Sequence, residues 1–301
     1  MAAARSGKGH GRASGAGTII NAIATLRGAA FGLDLWTEAE VELGADLKFV
    51  QGEIRDDRGA AMPGDTRLIE RCVELVLRKF DMPYGAYVKT RSEIPLGSGL
   101  KSSSAAANAT VAATLNAIGV EVTTLPGALE AIGIGIDAAL DVGVSITGAF
   151  DDACASALGG IVITDNEKRA LLKRVERDAT VLILVPRTQA FTADTNVVRS
   201  KVIAPWIGRA HEWALDGRFD EAMTLNGFLY CAALRFDPEP MLRALECGVA
   251  GVSLSGTGPS FVAVLHEDEE LEERVREAWR SLQLEARILK RRIQNQPSFH
   301  F

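Results

Sequence analysis

The stretch Pro95-Leu-Gly-Ser-Gly-Leu-Lys-Ser-Ser-Ser-Ala105 decides the fold and carries most of the chemical information in this sequence. Gly97 and Gly99 have no Cβ atom, so consecutive backbone N–H groups can turn toward one oxyanion. Lys101 supplies a cation, and the serines after it supply hydroxyl groups. An alanine-rich helical pattern follows directly, which places unpaired N–H groups and the positive end of a helix dipole at the loop. These parts together predict a phosphate-binding loop.

Two better-known phosphate-binding motifs do not fit this loop. A Walker A loop has the form GxxxxGK[ST], but here Leu100 precedes Lys101 and Pro95 stands where the first glycine belongs. A dinucleotide fingerprint GxGxxG needs glycine at position 102, where the sequence has Ser102. The plain structural alternative is a strand-to-helix turn in which Ser102 is an ordinary N-cap.

Length and composition predict a folded protein of two domains that acts on small molecules. The chain has 301 residues, and single domains usually run to ~100–200 residues. Hydrophobic residues make up 47% and charged residues 24%, which excludes intrinsic disorder for most of the chain. The formal net charge of −6 argues against a nucleic-acid partner, because phosphate-backbone binding needs a basic surface.

Cysteine spacing and apolar patterning exclude two further classes. The four cysteines form no CxxC pair, so we expect reduced thiols rather than a disulfide or zinc framework. The longest apolar region, residues 127–150, is interrupted by Glu130, Asp137 and Asp141, which are costly in a bilayer. We therefore expect no membrane segment and a cytoplasmic location. Residues 1–12 are expected to form a mobile tail.

The order of predicted elements indicates an α+β architecture, because strands and helices mix without strict alternation. Helices are expected after residue 65, from the loop to about 118, and over 127–140, 152–158, 196–214, 220–234, 238–246 and from 268. Strands are expected over 36–43, 84–91, 161–164, 181–185, 249–255, 260–266 and 286–291. The charge run at 165–178 is interpreted as a solvated helix face and as the best domain boundary.

Two further motifs are candidates for the site. Gly148-Ala-Phe-Asp-Asp-Ala-Cys154 places adjacent carboxylates at the start of a short helix. Neighbouring helical side chains point ~100° apart, so only one can face a given reacting atom. From the residues alone, Asp151 is either an N-cap or a catalytic carboxylate. Ser253-Leu-Ser-Gly-Thr-Gly-Pro-Ser260 is either an ordinary hairpin turn or a second loop of the site.

The first loop resembles the phosphate-binding motif of the GHMP kinases, which include galactokinase, homoserine kinase, mevalonate kinase and phosphomevalonate kinase. With the stretches 16–25, 28–34, 148–154 and 253–260, the chain most resembles the archaeal-type shikimate kinase branch, over about residues 14–295. The resemblance implies a two-domain GHMP kinase fold. An N-terminal ribosomal-S5-like α/β domain would span 13–165, and a C-terminal ferredoxin-like α/β domain 166–301.

The resemblance also implies an activity: ATP-dependent phosphorylation of the shikimate 3-hydroxyl with Mg²⁺, in chorismate and aromatic amino acid biosynthesis. Asp151 would accept or orient the attacking hydroxyl, and Ser103 would contact the metal, with Asp141 or Asp137 as its acidic partner. Asp34 and Asp151 are candidates for contacting substrate. The residues assigned to ATP phosphates are Pro95, Leu96, Gly97, Ser98, Gly99, Leu100, Lys101, Ser102, Ser103 and Ser104, with Gly256, Thr257 and Gly258 closing the site.

The N-terminal stretch departs from the general superfamily pattern and leaves its usual lysine without a clear equivalent. Arg27 either supplies that cation or is a surface arginine. Two other functions stay open at this point: another GHMP small-molecule kinase, for homoserine or mevalonate, and a non-catalytic GHMP-fold ligand sensor. The expected partners are shikimate and ATP, with the chain as a monomer or homodimer.

Overall fold

Two β-sheets with helices packed on them organise the chain in a computed structural model, which describes residues 7–44, 47–56, 58–83, 85–145, 148–188, 197–266 and 268–299. Within these residues the first sheet has seven strands, in the order β4-β3-β5-β2-β6-β7 with β1 paired to β2. The strands are β1 (Lys8–Ile20), β2 (Arg27–Gly44), β3 (Val50–Arg55), β4 (Ala61–Met62), β5 (Gly85–Ser92), β6 (Ile161–Asp165) and β7 (Ala170–Val175).

The helices that accompany this sheet carry the predicted site motifs. They are α1 (Arg67–Lys79), α2 (Ser102–Ala117), α3 (Leu125–Asp141) and α4 (Phe150–Leu158). Helix α2 begins directly after the glycine-rich loop, and α4 begins at the paired carboxylates, as the sequence predicts. Tyr84, the first residue of the strand predicted over 84–91, lies outside the described residues.

The second sheet is antiparallel, in the order β11-β8-β10-β9. Its strands are β8 (Thr180–Pro186), β9 (Gly251–Leu254), β10 (Phe261–Leu265) and β11 (Ala286–Arg292). Its helices are α5 (Val197–Val202), α6 (Ala204–Leu215), α7 (Phe219–Leu234), α8 (Glu239–Cys247) and α9 (Glu269–Ser281). The predicted hairpin of β9 and β10 is confirmed. Among the described residues, no helix combines the length and the apolar character that a bilayer span requires.

The two halves share one hydrophobic core. Leu33 of β2 and Ile19 of β1 belong to the same buried cluster as Leu184 of β8 and Val262 of β10. Burying apolar surface on both sides of this junction contributes roughly 25 cal/mol per Å². The two halves are therefore held together by apolar packing, and loops carried by different sheets can keep fixed positions relative to each other.

Strand β1 lies against α2 at a distance that only glycine permits. A Cβ atom on Gly9 would lie 2.0 Å from the carbonyl oxygen of Ala113, and one on Gly11 would lie 2.2 Å from that of Ala109. This packing begins at Gly7, whose added Cβ would meet Ala117. The expectation of a mobile tail over residues 1–12 is therefore wrong for residues 8–12, which form the start of β1.

The charge run at 165–178 contains a strand rather than a helix. Strand β7 pairs antiparallel with β6, and its charged side chains lie on a half-exposed strand. Arg174, for example, donates to the carbonyl oxygens of Leu158 and Gly159. The prediction of a helix was wrong because a run of mixed charges indicates that a segment is exposed to solvent, and it does not distinguish a helix from a strand. The domain boundary at 165/166 stays a prediction; sheet membership changes later, between Val175 and Thr180.

The close packing of β1 on α2 predicts that Gly9→Ala destabilises the protein. The added methyl group would force the strand and the helix apart, and overpacking of this kind costs about 1–3 kcal/mol. Urea unfolding at pH 7 measures the loss. The matched control is Gly208→Ala in α6, where no atom lies within 4 Å of an added Cβ; there the helix propensity of alanine leaves stability equal or higher. Equal stability of Gly9→Ala and the wild type would contradict this packing.

Candidate active site

One cavity of about 430 Å³ gathers the three motifs singled out in the sequence. Its walls come from the glycine-rich loop and the start of α2, the start of α4, and the second glycine turn. The turn after β1 and one side of α3 complete it. The motif residues that line it are Leu96, Gly97, Gly99, Lys101, Ser102, Ser103, Ser104, Gly148, Ala149, Asp151, Asp152, Ala153, Gly256 and Thr257.

The start of α2 supplies the donors for an anion. The first N–H groups of a helix have no partner within the helix, and here the N-cap residue Lys101 gives no side-chain cap to them. Lys101 itself has a left-handed backbone, with φ 66° and ψ 36°, which is uncommon for a residue with a side chain. No acidic residue lies in the first turn of α2. The N–H groups of Ser102 and its neighbours are therefore available to a phosphate.

The two glycine turns touch each other through their backbones. The hydroxyl of Ser255 donates to the carbonyl oxygen of Gly99 at 2.9 Å, and the N–H of Ser260 donates to that of Ser98 at 3.2 Å. A Cβ atom on Gly99 would lie 2.2 Å from the carbonyl oxygen of Ser255, and Gly99 has φ +80°. Only glycine at position 99 allows this contact, so the second half of the chain closes one side of the cavity.

A buried asparagine, Asn21, fixes the second turn from the other side and was missed by the sequence reasoning. Its Nδ2 donates to the carbonyl oxygen of Gly256 at 2.9 Å, and its backbone N–H donates to Oδ1 of Asn226 at 3.0 Å. Thr18 accepts the N–H of Gly256 at 2.8 Å. A sequence signal for Asn21 did exist, because it is a polar residue inside the apolar run 18–24. A buried polar side chain needs a hydrogen-bond partner, so its presence there indicates a specific contact.

Lys101 and Asp152 form a nearly buried ion pair in the wall of the cavity. Lys101 Nζ lies 3.0 Å from Asp152 Oδ1, and their side chains are 9% and 16% exposed. The second turn leaves room for this ammonium, because a Cβ on Gly256 would come within 2.8 Å of Nζ. The lysine is thus held between α4 and the second turn.

Asp151 is buried behind this pair and has a different environment. Its side chain is 3% exposed, and Oδ1 accepts a hydrogen bond of 2.8 Å from Nδ2 of Asn166. The N-cap of α4 is Ala149, with no side-chain cap, so the alternative of Asp151 as an N-cap is wrong. A Cβ on Gly28 would lie 2.4 Å from Oδ2. The carboxylate is therefore fixed between β2 and the turn after β6.

Burial raises the pKa of Asp151 to about 7, with the negative charge of Asp152 as the next largest cause. Lys101 and the hydrogen bond from Asn166 act in the opposite direction and lower the pKa. Adjacent carboxylates in unequal surroundings are an arrangement that separates acid–base roles in active sites. Asp151 can therefore exchange a proton near neutral pH, as a general base requires.

Comparisons with known proteins bear on this geometry. The family described as GHMP kinases N terminal domain matches residues 67–160, and GHMP kinases C terminal matches 212–283. A curated shikimate kinase of Methanosarcina mazei is 57% identical over 294 residues, which covers 98% of this chain and 97% of that protein. A shikimate kinase of Methanocella arvoryzae is 55% identical over 272 residues, covering 90% of each. The chain belongs to the archaeal shikimate kinases of the GHMP kinase family.

Solved structures agree with the fold of this family. Homoserine kinase from Cytophaga hutchinsonii superposes with a TM-score of 0.75 over 98% of both chains, at 19% sequence identity. Methanococcus jannaschii mevalonate kinase gives a TM-score of 0.73 over 97% of this chain and 100% of that one, at 15% identity. The two-domain GHMP kinase fold is thereby confirmed for this member of the archaeal shikimate kinases.

Several acidic residues considered in the sequence lie away from the cavity of this GHMP kinase. Asp34 accepts the backbone N–H of Arg292 at 2.8 Å and does not line the cavity. Asp141 pairs with Arg71 at 2.8 Å, and Asp137 pairs with Arg169 at 2.7 Å. Neither aspartate lines the cavity, whereas Ser103 does. Both aspartates lie on α3 and pair with arginines that are distant in sequence, so these ion pairs could not be predicted from the sequence.

Other predicted residues support the loops without lining the cavity. Pro95 accepts a hydrogen bond from the hydroxyl of Ser98 at 2.6 Å, and Leu100 is buried in the shared core. Gly258 packs on the ring of Phe236. Arg27 is exposed at the start of β2 and is not part of the cavity lining. Within the predicted phosphate-binding stretch 95–104, only some of the residues therefore line the cavity.

A magnesium ion fits this GHMP kinase cavity only with few protein ligands. Among the described residues, no group of three or more His, Cys, Asp or Glu side chains could hold a metal. Mg²⁺ in phosphoryl-transfer sites is usually bound by one or two protein ligands together with substrate phosphates. The exposed hydroxyl of Ser103 at the start of α2 suits such a role, whereas Asp141 does not.

The environment of Asp151 predicts how the stability of this kinase depends on pH. Its pKa is about 7 in the folded protein against an ordinary value of 3.8, so the folded state binds the extra proton between these values. The contribution of Asp151 to the free energy of unfolding is therefore greatest below about pH 4, and it is lost as the pH rises through about 7. Asp151→Asn should therefore raise the Tm at pH 8 and flatten the pH dependence.

Thermal unfolding of both proteins from pH 5 to pH 8 measures this effect. Glu121→Gln, at an exposed carboxylate outside the cavity lining, serves as the control for removing one negative charge. A lower Tm for Asp151→Asn than for the wild type at pH 8, with Glu121→Gln unchanged, would contradict a burial cost at Asp151.

Proposed function

We propose that this chain transfers the γ-phosphoryl group of ATP to the 3-hydroxyl of shikimate, giving shikimate 3-phosphate and ADP. The observation that carries the proposal is that a buried carboxylate, Asp151, lines the same cavity as the donor-rich start of α2 and Lys101. Phosphoryl transfer depends mainly on positioning and charge neutralisation, and this cavity offers both. The shikimate kinases related to this chain support the choice of acceptor.

The phosphates would bind at the start of α2. Backbone N–H groups between Gly97 and Ser104, together with the Lys101 ammonium, would hold the β- and γ-phosphate oxygens. Ser103, with the phosphates, would hold Mg²⁺, which neutralises charge on the triphosphate when bound. The net charge of the chain is −6, so these local donors must overcome a repulsive overall field.

Asp151 would handle the proton of the acceptor. As the oxygen of the 3-hydroxyl forms its bond to the γ-phosphorus, the O–H bond breaks and the proton passes to the Asp151 carboxylate. The bond from the γ-phosphorus to the bridging oxygen breaks at the same time, and ADP leaves with that oxygen. A base with a pKa near 7 is well matched to this transfer at neutral pH.

An apolar wall completes the cavity and suits a ring. Ile136 and Ala139 of α3 line it, with Val142 and Val144 from the segment that follows. Ligand sites commonly combine such apolar walls with a few polar groups that fix orientation. We assign this wall to the non-reacting portion of a ligand.

The buried free cysteines Cys72, Cys154 and Cys231 fit the cytoplasmic location expected from the sequence.

An ADP-release assay with a panel of acceptors tests the proposal. We expect turnover with shikimate and none with homoserine or mevalonate, and loss of turnover on chelation of Mg²⁺. Asp151→Asn should lower turnover by about 10²–10⁴-fold while ATP binding, measured by calorimetry, survives. Glu121→Gln is the matched control and should retain wild-type turnover.

Three outcomes would contradict the proposal. Faster ADP release with homoserine or mevalonate than with shikimate would assign a different acceptor. ATP binding without ADP release from any acceptor would indicate a ligand sensor. Near-normal turnover of Asp151→Asn would remove the carboxylate from the mechanism.

A further inference from the structure

Asn166 opens the turn between β6 and β7 and is fixed at every polar group. It is 5% exposed, and its backbone N–H donates to the carbonyl oxygen of Leu26 at 2.8 Å. Its side-chain Oδ1 accepts the hydroxyl of Thr164 at 2.7 Å, and its Nδ2 donates to Asp151 at 2.8 Å. A buried amide bonded on both sides has one orientation available to it.

The chemistry of the partners decides which end of the Asn166 amide faces Asp151. An ionised carboxylate only accepts hydrogen bonds, so the opposite orientation would place two acceptors against each other. The Thr164 hydroxyl can donate to Oδ1, which leaves Nδ2 for the carboxylate. The turn after β6 thus presents a neutral donor to Asp151.

Asp151 is confined on its other side by the backbone of β2. An added Cβ on Gly28 would lie 2.4 Å from Oδ2, so the carboxylate cannot move toward β2. The charged groups nearest to it are Asp152 in the same helix and Lys101, and those two are paired with each other. Tyr230 of α7 and Cys154 of α4 are two further titratable neighbours of Asp151, and the pKa of each is raised mainly by its own burial.

We propose that Asn166 is the positioning residue that holds the Asp151 carboxylate in the orientation required for proton transfer. The inference rests on the proposed function, because it assigns Asn166 a role only through Asp151. The hydrogen bond from Nδ2 to Oδ1 and the close backbone at Gly28 together leave the carboxylate one orientation at the cavity wall. A neutral donor also leaves the pKa of Asp151 higher than a cation in its place would, so the carboxylate stays basic enough to accept a proton.

Steady-state kinetics of Asn166→Ala and Asn166→Asp test this role. Removing a residue that orients a metal-ligating side chain commonly costs about 10–100-fold in activity, and we expect a loss of the same order for a residue that orients a general base. We expect that loss in kcat for Asn166→Ala, with KM for ATP unchanged, since Asn166 does not line the cavity. The acid limb of the pH profile should move to higher pH, and further in Asn166→Asp, because a second carboxylate there disfavours ionisation of Asp151.

Asn295→Ala is the matched control, since Asn295 also bonds through its amide, to the backbone of Arg177, and does not line the cavity. It should lose stability without any change in kcat or in the pH profile. The double variant Asp151→Asn/Asn166→Ala should turn over no more slowly than Asp151→Asn alone, because a residue that acts through Asp151 has nothing left to position.

The outcomes separate this inference from the proposed function. If Asp151→Asn loses turnover but folded Asn166→Ala keeps wild-type kcat and pH profile, the role of Asn166 is overturned and the kinase assignment stands. Additive losses in the double variant would also overturn it. If Asp151→Asn itself turns over normally, the assignment of Asp151 fails first.

Discussion

The approach of the two glycine turns is the contact on which the site depends. Gly99 and Ser255 come from different sheets, and their backbones meet at a separation that no Cβ atom would allow. The shared core of β1, β2, β8 and β10 holds the two sheets in the positions that make this approach possible. The cavity, the position of the Lys101 ammonium and the closure by the second turn all follow from it.

Adjacent aspartates acquire different chemistry from this arrangement. Asp152 faces Lys101 and forms an ion pair with it at 3.0 Å. Asp151 is more deeply buried and has a neutral amide as its hydrogen-bond partner. Its pKa rises because burial penalises the charged form, and the charge of Lys101 and the hydrogen bond from Asn166 offset only part of that penalty. Two adjacent residues of α4 therefore have different partners, a cation for Asp152 and a neutral amide for Asp151.

The sequence predicted the local features of this site and missed those created by tertiary contacts. The glycine-rich loop before α2 and the carboxylates at the start of α4 were visible because their function depends on neighbours in sequence. Asn21 and Asn166 were missed, since each reaches its partner only after the sheets form. Asn166 also lies in the charge run at 165–178, which was predicted to be a solvated helix face, whereas the structure has a turn between two strands there.

Asp34 and Asp141 are predicted site residues that the structure places outside the cavity lining. A carboxylate near a motif in sequence was expected at the site, but Asp34 bonds the backbone of β11 and Asp141 pairs with Arg71 of α1. Strand direction and helix phase decide where such side chains point, and neither is fixed by proximity along the chain. The second sheet, in contrast, was predictable, since its four strands follow hydrophobic patterns that the sequence displays directly. In the first sheet, β1, β3, β4 and β7 were not predicted as strands.

The most direct test is a crystal structure of this protein with a non-hydrolysable ATP analogue, Mg²⁺ and shikimate. The account predicts phosphate oxygens within hydrogen-bonding distance of the N–H groups at the start of α2, with the shikimate 3-hydroxyl against the Asp151 carboxylate. Nucleotide bound outside the cavity between the two glycine turns, or shikimate bound with its 3-hydroxyl away from Asp151, would contradict it.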